Sequence, residues 1–261
     1  MNATGIQSLL DQVVPYTLVM FRLAGVFMLA PLLTSLTIPR TFKALLIFML
    51  AAALYPAVRA AAPMMPADLD LFGLIPLIVL ESLIGLAMGG IAAVPLLSLE
   101  MAGVMIGQNM GLGLAKVYNP EADFEAEVLG QFLFYIGASI FVGVGGLEQL
   151  FAGVMHSFVT TPIGGFAVSQ TPLDLLVSVL SSGFELAIRV STPVTGIVMV
   201  LVVVMGLIGK TMPQLNVMSV GFAVKILAGL AMLAASMYAI RQAVGDEVTR
   251  TLDEVVRWVA G

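Results

Sequence analysis

Long apolar runs without a charged residue recur along this chain, and they constrain its fold more than any other feature. Each run approaches the roughly 20 apolar residues that a helix needs to cross a hydrocarbon core. The five clearest runs are Leu23 to Pro39, Ser82 to Leu99, Val128 to Leu147, Val190 to Gly209 and Ile226 to Ile240. Water cannot be the main solvent for so much apolar surface, so the sequence predicts a membrane protein.

The composition points the same way and excludes several function classes. The chain is 60% hydrophobic and 10% charged, and its mean hydropathy is +1.07, whereas a soluble domain is about 25% charged. The net charge of −5 argues against nucleic-acid binding, which depends on clustered Lys and Arg. With no cysteine and a single histidine, His156, the chain offers no disulfides, thiolate metal sites or imidazole clusters.

The hydropathy pattern predicts an all-α, polytopic membrane protein with about six hydrophobic helical segments, arranged as kinked helices and hairpins. The segments are Val13 to Leu33, Phe42 to Ala62, Leu71 to Leu97, Val128 to Leu147, Leu175 to Ile208 and Met218 to Ile240. Prolines lie inside several of them, at Pro15, Pro31, Pro76, Pro95 and Pro193. Each proline removes a backbone hydrogen bond and favours a kink or break. Lys and Arg divide evenly between the two faces, so the positive-inside rule predicts no orientation.

The end of the chain has a different character from the apolar segments. Between Asp246 and Val259, apolar residues such as Val248 and Leu252 recur at helical spacing, with charged residues between them. This spacing predicts an amphipathic helix. Packing on the chain's own bundle and docking to a partner subunit are equally compatible with it.

Ionisable residues inside apolar segments are the usual pointers to function in membrane proteins. Arg22 and Glu81 lie in different segments, and we expect them to pair across helices and fix the assembly rather than conduct ions. Glu185 and Arg189 have the order and spacing of an intrahelical ion pair. No catalytic set is recognisable, and a Gly-Lys-Thr triplet lacks the glycine that a nucleotide loop requires, because Val204 stands there. The sequence therefore predicts no enzyme and no cofactor.

The most informative stretch is rich in glycine and methionine. Gly103, Gly107 and Gly111 recur every four residues and form a ridge on which another backbone can approach closely. Flexible methionines are interleaved with this ridge and could close around varying contours. Spacing alone favours ordinary tight packing over a gating element, and it leaves both open.

Residues in this stretch and elsewhere match a known family. The segment from Gly103 to Pro120, with MIGQNMGLGLAKVYNP at its centre, resembles a segment of the FliR family in which glycines, a Gln and a Met precede a turn ending in Pro. The stretch Thr211 to Asn216, with the Gly221-Phe222 pair and Lys225 after it, resembles the family's Pro-Gln-x-Asn element and its following glycine. Ala223 stands where many relatives have proline, which affects the expected bend of the last segment. The resemblance extends over nearly the whole chain.

The resemblance implies a subunit of the flagellar type III protein export gate in the bacterial inner membrane, at the flagellar basal body. It implies FliP-type and FliQ-type subunits as partners in a conduit for unfolded flagellar substrates, with FlhB-type and FlhA-type proteins as neighbours. Residues 1–172 would form a FliP-like portion that includes a pore-plug-like loop at 103–120. Residues 173–261 would form a FliQ-like helical hairpin with the amphipathic C-terminal helix.

Together, the residues and the resemblance give two sets of candidate functional residues. The pore-plug or gating set comprises Met101, Gly103, Met105, Gly107, Gln108, Met110, Gly111, Gly113, Tyr118 and Pro120. The structural or assembly set comprises Arg22, Glu81, Glu185, Arg189, Pro213, Gln214, Asn216, Gly221 and Lys225.

Two other functions compete with the flagellar one. The paralogous SctT family serves virulence secretion systems and shares the same features. A secondary transporter, working alone or as a small oligomer, would also be apolar and helical.

Overall fold

The structure, a computed structural model, describes residues 3–34, 39–61, 71–113, 127–164, 173–212 and 217–260. Within these ranges it is entirely helical, which confirms the predicted all-α class. The helices are α1 (Ala3–Leu29), α2 (Arg40–Ala61), α3 (Leu71–Met110), α4 (Glu127–Gly143), α5 (Gly146–Thr160), α6 (Leu173–Thr211) and α7 (Val217–Ala260).

The candidate membrane spans are fewer than the predicted segments. By length and composition, four of the helices in the described ranges could cross a membrane, namely α2, α3, α6 and α7. A fifth arises if α4 and α5 are counted as one broken span. The apolar part of α1, Val13–Leu29, is shorter than these. The estimate of about six segments is therefore roughly consistent with the fold.

Each predicted segment corresponds to a helix, although several of the predicted boundaries differ from the observed ones. Helix α3 continues well past Leu97, and α7 continues from the last apolar segment through the amphipathic tail without a break. The segment predicted at Val128 to Leu147 ends early, because Gly145 adopts a left-handed conformation with φ 75° and starts the separate helix α5. Left-handed backbone is a conformation that glycine adopts readily.

The prolines do not interrupt the helices as expected. Pro15, Pro76, Pro95 and Pro193 all lie within continuous helices, so the alternative of a break is wrong at these positions. Pro31 follows the end of α1, in a turn that also contains Leu32 at a φ of 67°.

The chain divides into two compact units. Unit 1 consists of residues 1–94, 145–179 and 248–261, and unit 2 of residues 95–144 and 180–247. Helix α3 passes from one unit to the other at Pro95. These units describe compactness and do not test the expected division at residue 172 into FliP-like and FliQ-like portions, which stays a prediction.

Unit 1 contains α1, α2 and α5, with α2 packed against both of the others. Tyr16 of α1 donates its hydroxyl hydrogen bond to the carbonyl oxygen of Phe48 at 2.9 Å. The amphipathic tail also packs within this unit, where Val248 and Leu252 are buried. A Cβ added to Gly153 of α5 would lie 3.5 Å from a methyl carbon of Val256. The apolar face of the tail therefore packs on the chain's own helices.

Candidate functional site

The glycine-rich stretch is the C-terminal end of α3 rather than a loop. The residues from Met101 to Met110 are helical and a turn follows at 111–113, so the loop predicted to begin at Gly103 is helix as far as Met110; the plug role of the stretch stays a prediction. Glycine content alone does not break a long helix, because each glycine costs only about 1 kcal/mol relative to alanine. Two predicted gating residues, Tyr118 and Pro120, lie outside the described residues.

A specific capping structure ends this helix. Gly111 has a φ of 86°, its amide donates to the carbonyl oxygen of Gln108 at 3.0 Å, and the amide of Leu112 donates to that of Gly107 at 3.0 Å. This pair of bonds around a left-handed glycine is the Schellman motif, which satisfies carbonyl groups that the helix would otherwise leave unpaired. Gly111 therefore has a local structural role as the left-handed cap of α3.

Three neighbouring helices hold the same helix end, all within unit 2. Gly103 lies against α4, where its Cβ would come within 2.6 Å of the Cα of Gly130. The Nδ2 atom of Asn109 donates a hydrogen bond to Oγ1 of Thr195 on α6 at 3.0 Å. The Met110 side chain fills the space beside Gly229 on α7. The close-packing interpretation of the ridge is therefore correct at Gly103.

The methionines of the stretch do not share one environment. Met110 is fully buried, whereas Met101 and Met105 are half-buried. Gln108 and Gly113 are exposed, and a Cβ on Gly113 would meet no atom within 4 Å. Only the last methionine is thus enclosed by the chain itself.

The second candidate site is a buried ion pair in unit 1. Nε of Arg22 on α1 lies 2.5 Å from Oε2 of Glu81 on α3, and the two side chains are 0% and 2% exposed. The structure therefore brings these residues into contact across helices. Their role in assembly stays a prediction.

The remaining polar atoms of the pair also have partners. Arg22 donates from one terminal nitrogen to Oγ of Ser157 at 2.9 Å and from the other to the carbonyl oxygen of Thr161 at 3.2 Å. The ring of Phe158 lies 4.2 Å from the guanidinium carbon, a distance at which a cation–π attraction operates. Glu81 accepts a further bond from the amide of Gly164 at 3.1 Å. Arg22 thus joins α1, α3 and the C-terminal end of α5, where a cation is favoured by the helix dipole.

Glycines bring the two charged helices close enough for this pairing. A Cβ on Gly85 of α3 would collide with the backbone carbonyl of Arg22, and one on Gly89 would lie 2.6 Å from that of Val26. A Cβ on Gly25 would collide with the backbone carbonyl of Ser82. The four-residue spacing of Gly85 and Gly89 was the available sequence signal for this crossing, and the sequence analysis missed it.

The other assembly residues are not brought together. Oε1 of Glu185 lies 3.1 Å from a terminal nitrogen of Arg189, and both side chains are about two-thirds exposed, at 70% and 67%. Gly221 lies beside Met205, whose Cε is 3.3 Å from the position of a Cβ. Lys225 is half-buried. Pro213, Gln214 and Asn216 lie outside the described residues.

Both sites consist of packing contacts and hydrogen bonds between helices. In the part of the chain that the structure describes, no group of three His, Cys, Asp or Glu side chains could hold a metal ion. Every buried side-chain nitrogen or oxygen there has a hydrogen-bond partner.

Comparisons with known proteins identify the family of the chain. A family model described as bacterial export proteins, family 1, matches residues 13–251. The flagellar biosynthetic protein FliR of Bacillus subtilis (strain 168) is 25% identical over 251 residues, covering 94% of this chain and 95% of the relative. The FliR protein of Escherichia coli (strain K12) is 26% identical, covering 84% and 82%.

A relative with a different name also matches. The Yop proteins translocation protein T of Yersinia pestis is 28% identical over 213 residues, covering 80% of each chain. Because the family model extends over almost the entire sequence, this protein is a member of the bacterial export proteins, family 1.

Proposed function

We propose that this protein is a non-enzymatic, structural and gating subunit of the flagellar type III export gate. It helps to form the conduit through which unfolded flagellar subunits cross the bacterial inner membrane, at the flagellar basal body. Its partners are FliP-type and FliQ-type subunits, with FlhB-type and FlhA-type export proteins as neighbours. Family membership and the FliR relatives support this proposal at the level of the export apparatus.

The observation that carries the proposal is the uncovered apolar surface of two long helices, α6 and α7. Helix α6 has 39 residues and α7 has 44, which at 1.5 Å per residue are about 58 and 66 Å long. A hydrocarbon core is only about 30 Å thick. In the most apolar stretch of each helix, only 11% and 17% of residues are buried by the chain itself. On α6, exposed large apolar side chains extend from Leu173 to Leu207, which is farther than a hydrocarbon core reaches, so part of this surface is left for other protein subunits to cover.

The character of the α6 surface supports the same conclusion. The exposed ion pair of Glu185 and Arg189 lies among exposed apolar side chains, including Phe184 and Ile188. Charged groups facing hydrocarbon are costly, and apolar groups facing water are also unfavourable. A surface on which charged and apolar side chains alternate is better suited to contact another protein than to face lipid or water.

The gating part of the proposal rests on the C-terminal end of α3. A conduit for many different chains should lack strong sequence-specific contacts, yet it must exclude ions when idle. A helix end built from glycine and flexible methionine, followed by a turn, can meet both requirements.

The decisive test uses the protein in native membranes. Affinity purification of the full chain should recover FliP-type and FliQ-type subunits, and deleting the gene should abolish export of filament proteins. Deleting residues 107–113 should raise ion conductance of cells whose gate still assembles, as judged by the same co-purification. Unchanged conductance in an assembled gate would count against the gating role.

The match to the Yersinia translocation protein supports one alternative, an SctT-type subunit of a virulence secretion system. Neighbouring genes for needle and effector proteins, and loss of effector export on deletion, would favour this alternative over the flagellar function. A secondary transporter would instead carry out solute uptake as the purified chain in liposomes, where an isolated gate subunit should be inert.

A further inference from the structure

The side chain of Met110 occupies the space that a side chain at position 229 would need. Met110 is the last residue of α3 and is fully buried. Its Cγ and Sδ atoms lie 3.1 and 3.2 Å from the position that a Cβ of Gly229 would occupy, and its Cε overlaps that position. Any larger residue at 229 would therefore displace this methionine.

The presence of glycine at this position needs a reason, because glycine destabilises a helix interior relative to alanine. Gly229 lies within the continuous helix α7, and its backbone is not among those with positive φ in the described residues. The space required by the Met110 side chain supplies the reason. Gly229 serves as the socket for this side chain.

The socket holds α3 at the point where its helical structure ends. The next residue, Gly111, is left-handed, and Gly113 stands in open space. The neighbouring side chain of Asn109 donates a hydrogen bond to the side chain of Thr195 on α6. The final residues of α3 are thus fixed to two helices directly before a turn that glycine makes easy to rearrange.

We propose that the contact between Met110 and Gly229 is a latch. It holds the C-terminal end of α3 in the position that this end has in the closed gate, and opening of the gate requires the Met110 side chain to leave the socket at Gly229. This inference rests on the proposed gating function and identifies the contact that controls opening of the gate. Methionine is unbranched and flexible, so it can withdraw and return without a fixed shape to match. Gly103, in contrast, packs backbone against backbone on α4, and this contact remains in place as the anchor.

The absence of cysteine from the chain allows a direct test. In the double variant Met110→Cys with Gly229→Cys, the sulfur at position 110 takes the γ position, 3.1 Å from the Cβ at position 229. In a disulfide, each sulfur lies about 3 Å from the partner's Cβ. The assembled gate should therefore form this bond on oxidation. Export should then fall at least tenfold and recover on reduction, while either single variant should not respond to oxidant.

A matched pair on the same helix provides the control. Leu99→Cys with Gly137→Cys would join α3 to α4 before the gating stretch, since Cβ of Leu99 lies 3.8 Å from the Cβ position of Gly137, which is the usual separation of the two Cβ atoms in a disulfide. Export through the oxidised control gate should stay within twofold of its reduced level. A gate cross-linked between 110 and 229 that exports normally would overturn the latch, and so would failure of the closed gate to form that disulfide.

A second variant covers the case in which the double cysteine variant does not assemble. Gly229→Ala should push Met110 out of its socket and raise ion conductance severalfold, whereas Gly206→Ala, whose Cβ meets no atom within 4 Å, should not. Equal conductance of the two variants would overturn the latch. Normal filament export in cells that lack the gene would refute the proposed function instead, whatever the disulfide does.

Discussion

Removing the Glu81 carboxylate should be among the most destabilising single changes in this chain. The variant Glu81→Ala leaves the Arg22 guanidinium, which is 0% exposed, without its counter-charge and also removes the acceptor for the Gly164 amide. Breaking a buried ion pair from one side costs about 3–5 kcal/mol, because the remaining charge is buried and unpaired. A typical folded domain has only about 5–15 kcal/mol of stability in total. We therefore expect the loss to be a large fraction of the whole.

The measurement is denaturant unfolding of the purified full chain in micelles, followed by the fluorescence of its single tryptophan, Trp258. The matched control is Glu185→Ala, which removes the same group from an ion pair whose side chains are 70% and 67% exposed. Exposed helical pairs contribute about 0.3–0.5 kcal/mol, so this control should lower the free energy of unfolding only slightly. The buried variant should cost roughly ten times as much as the exposed one.

A double-mutant cycle separates the pair interaction from general damage. Arg22→Ala combined with Glu81→Ala should cost less than the sum of the two single variants, with a coupling energy of about 1–3 kcal/mol. Equal costs for Glu81→Ala and Glu185→Ala, or a coupling below about 0.5 kcal/mol, would refute the reasoning.

Three further substitutions test the close packing and the helix end. Gly85→Ala forces a Cβ against the backbone of α1 and should cost about 1–3 kcal/mol, whereas Gly196→Ala meets open space and should not lower the thermal unfolding temperature. Gly111→Ala, at a φ of 86°, should cost about 1–2 kcal/mol in denaturant unfolding, and Gly113→Ala should stay within about 0.5 kcal/mol of the natural chain. Asn109→Ala loses its bond to α6 and should cost about 0.5–1.5 kcal/mol, seen as faster amide exchange at the end of α3.

The helices themselves were largely predictable, because hydropathy reports where apolar surface is continuous. The segment Phe42 to Ala62 corresponds to α2 at Arg40–Ala61, and Leu175 to Ile208 corresponds to α6. Hydropathy does not report helix length, however. Helix α3 continues past Glu100 to Met110, within the glycine-rich stretch, and α7 continues through the charged tail, because backbone hydrogen bonds continue after the apolar run has ended.

The sequence did not predict most of the contacts between residues that lie far apart along the chain. The cost of burying a charge indicated that Arg22 and Glu81 should pair. Nothing local predicted that Ser157, which lies 135 residues from Arg22 in sequence, would accept another of its hydrogen bonds. Helix α5, which supplies that residue, was missed because His156 and other polar side chains interrupt its apolar character. The socket at Gly229 likewise follows from packing and not from spacing.

The distribution of buried charge is compatible with the proposed subunit role. A proton or ion route needs ionisable groups at several depths along one path. In the described residues, the buried charged side chains are Arg22 and Glu81 alone, and they neutralise each other with their remaining polar atoms satisfied by hydrogen bonds. Such a centre has no free site for an ion to occupy, so its contribution is to fix the helices that surround it. Helix α6, in contrast, has exposed apolar side chains from Leu173 to Leu207, over a length that exceeds the thickness of a hydrocarbon core. A chain whose buried polar groups have hydrogen-bond partners, and whose surface exposes many apolar side chains, is suited to be one part of a larger helical assembly.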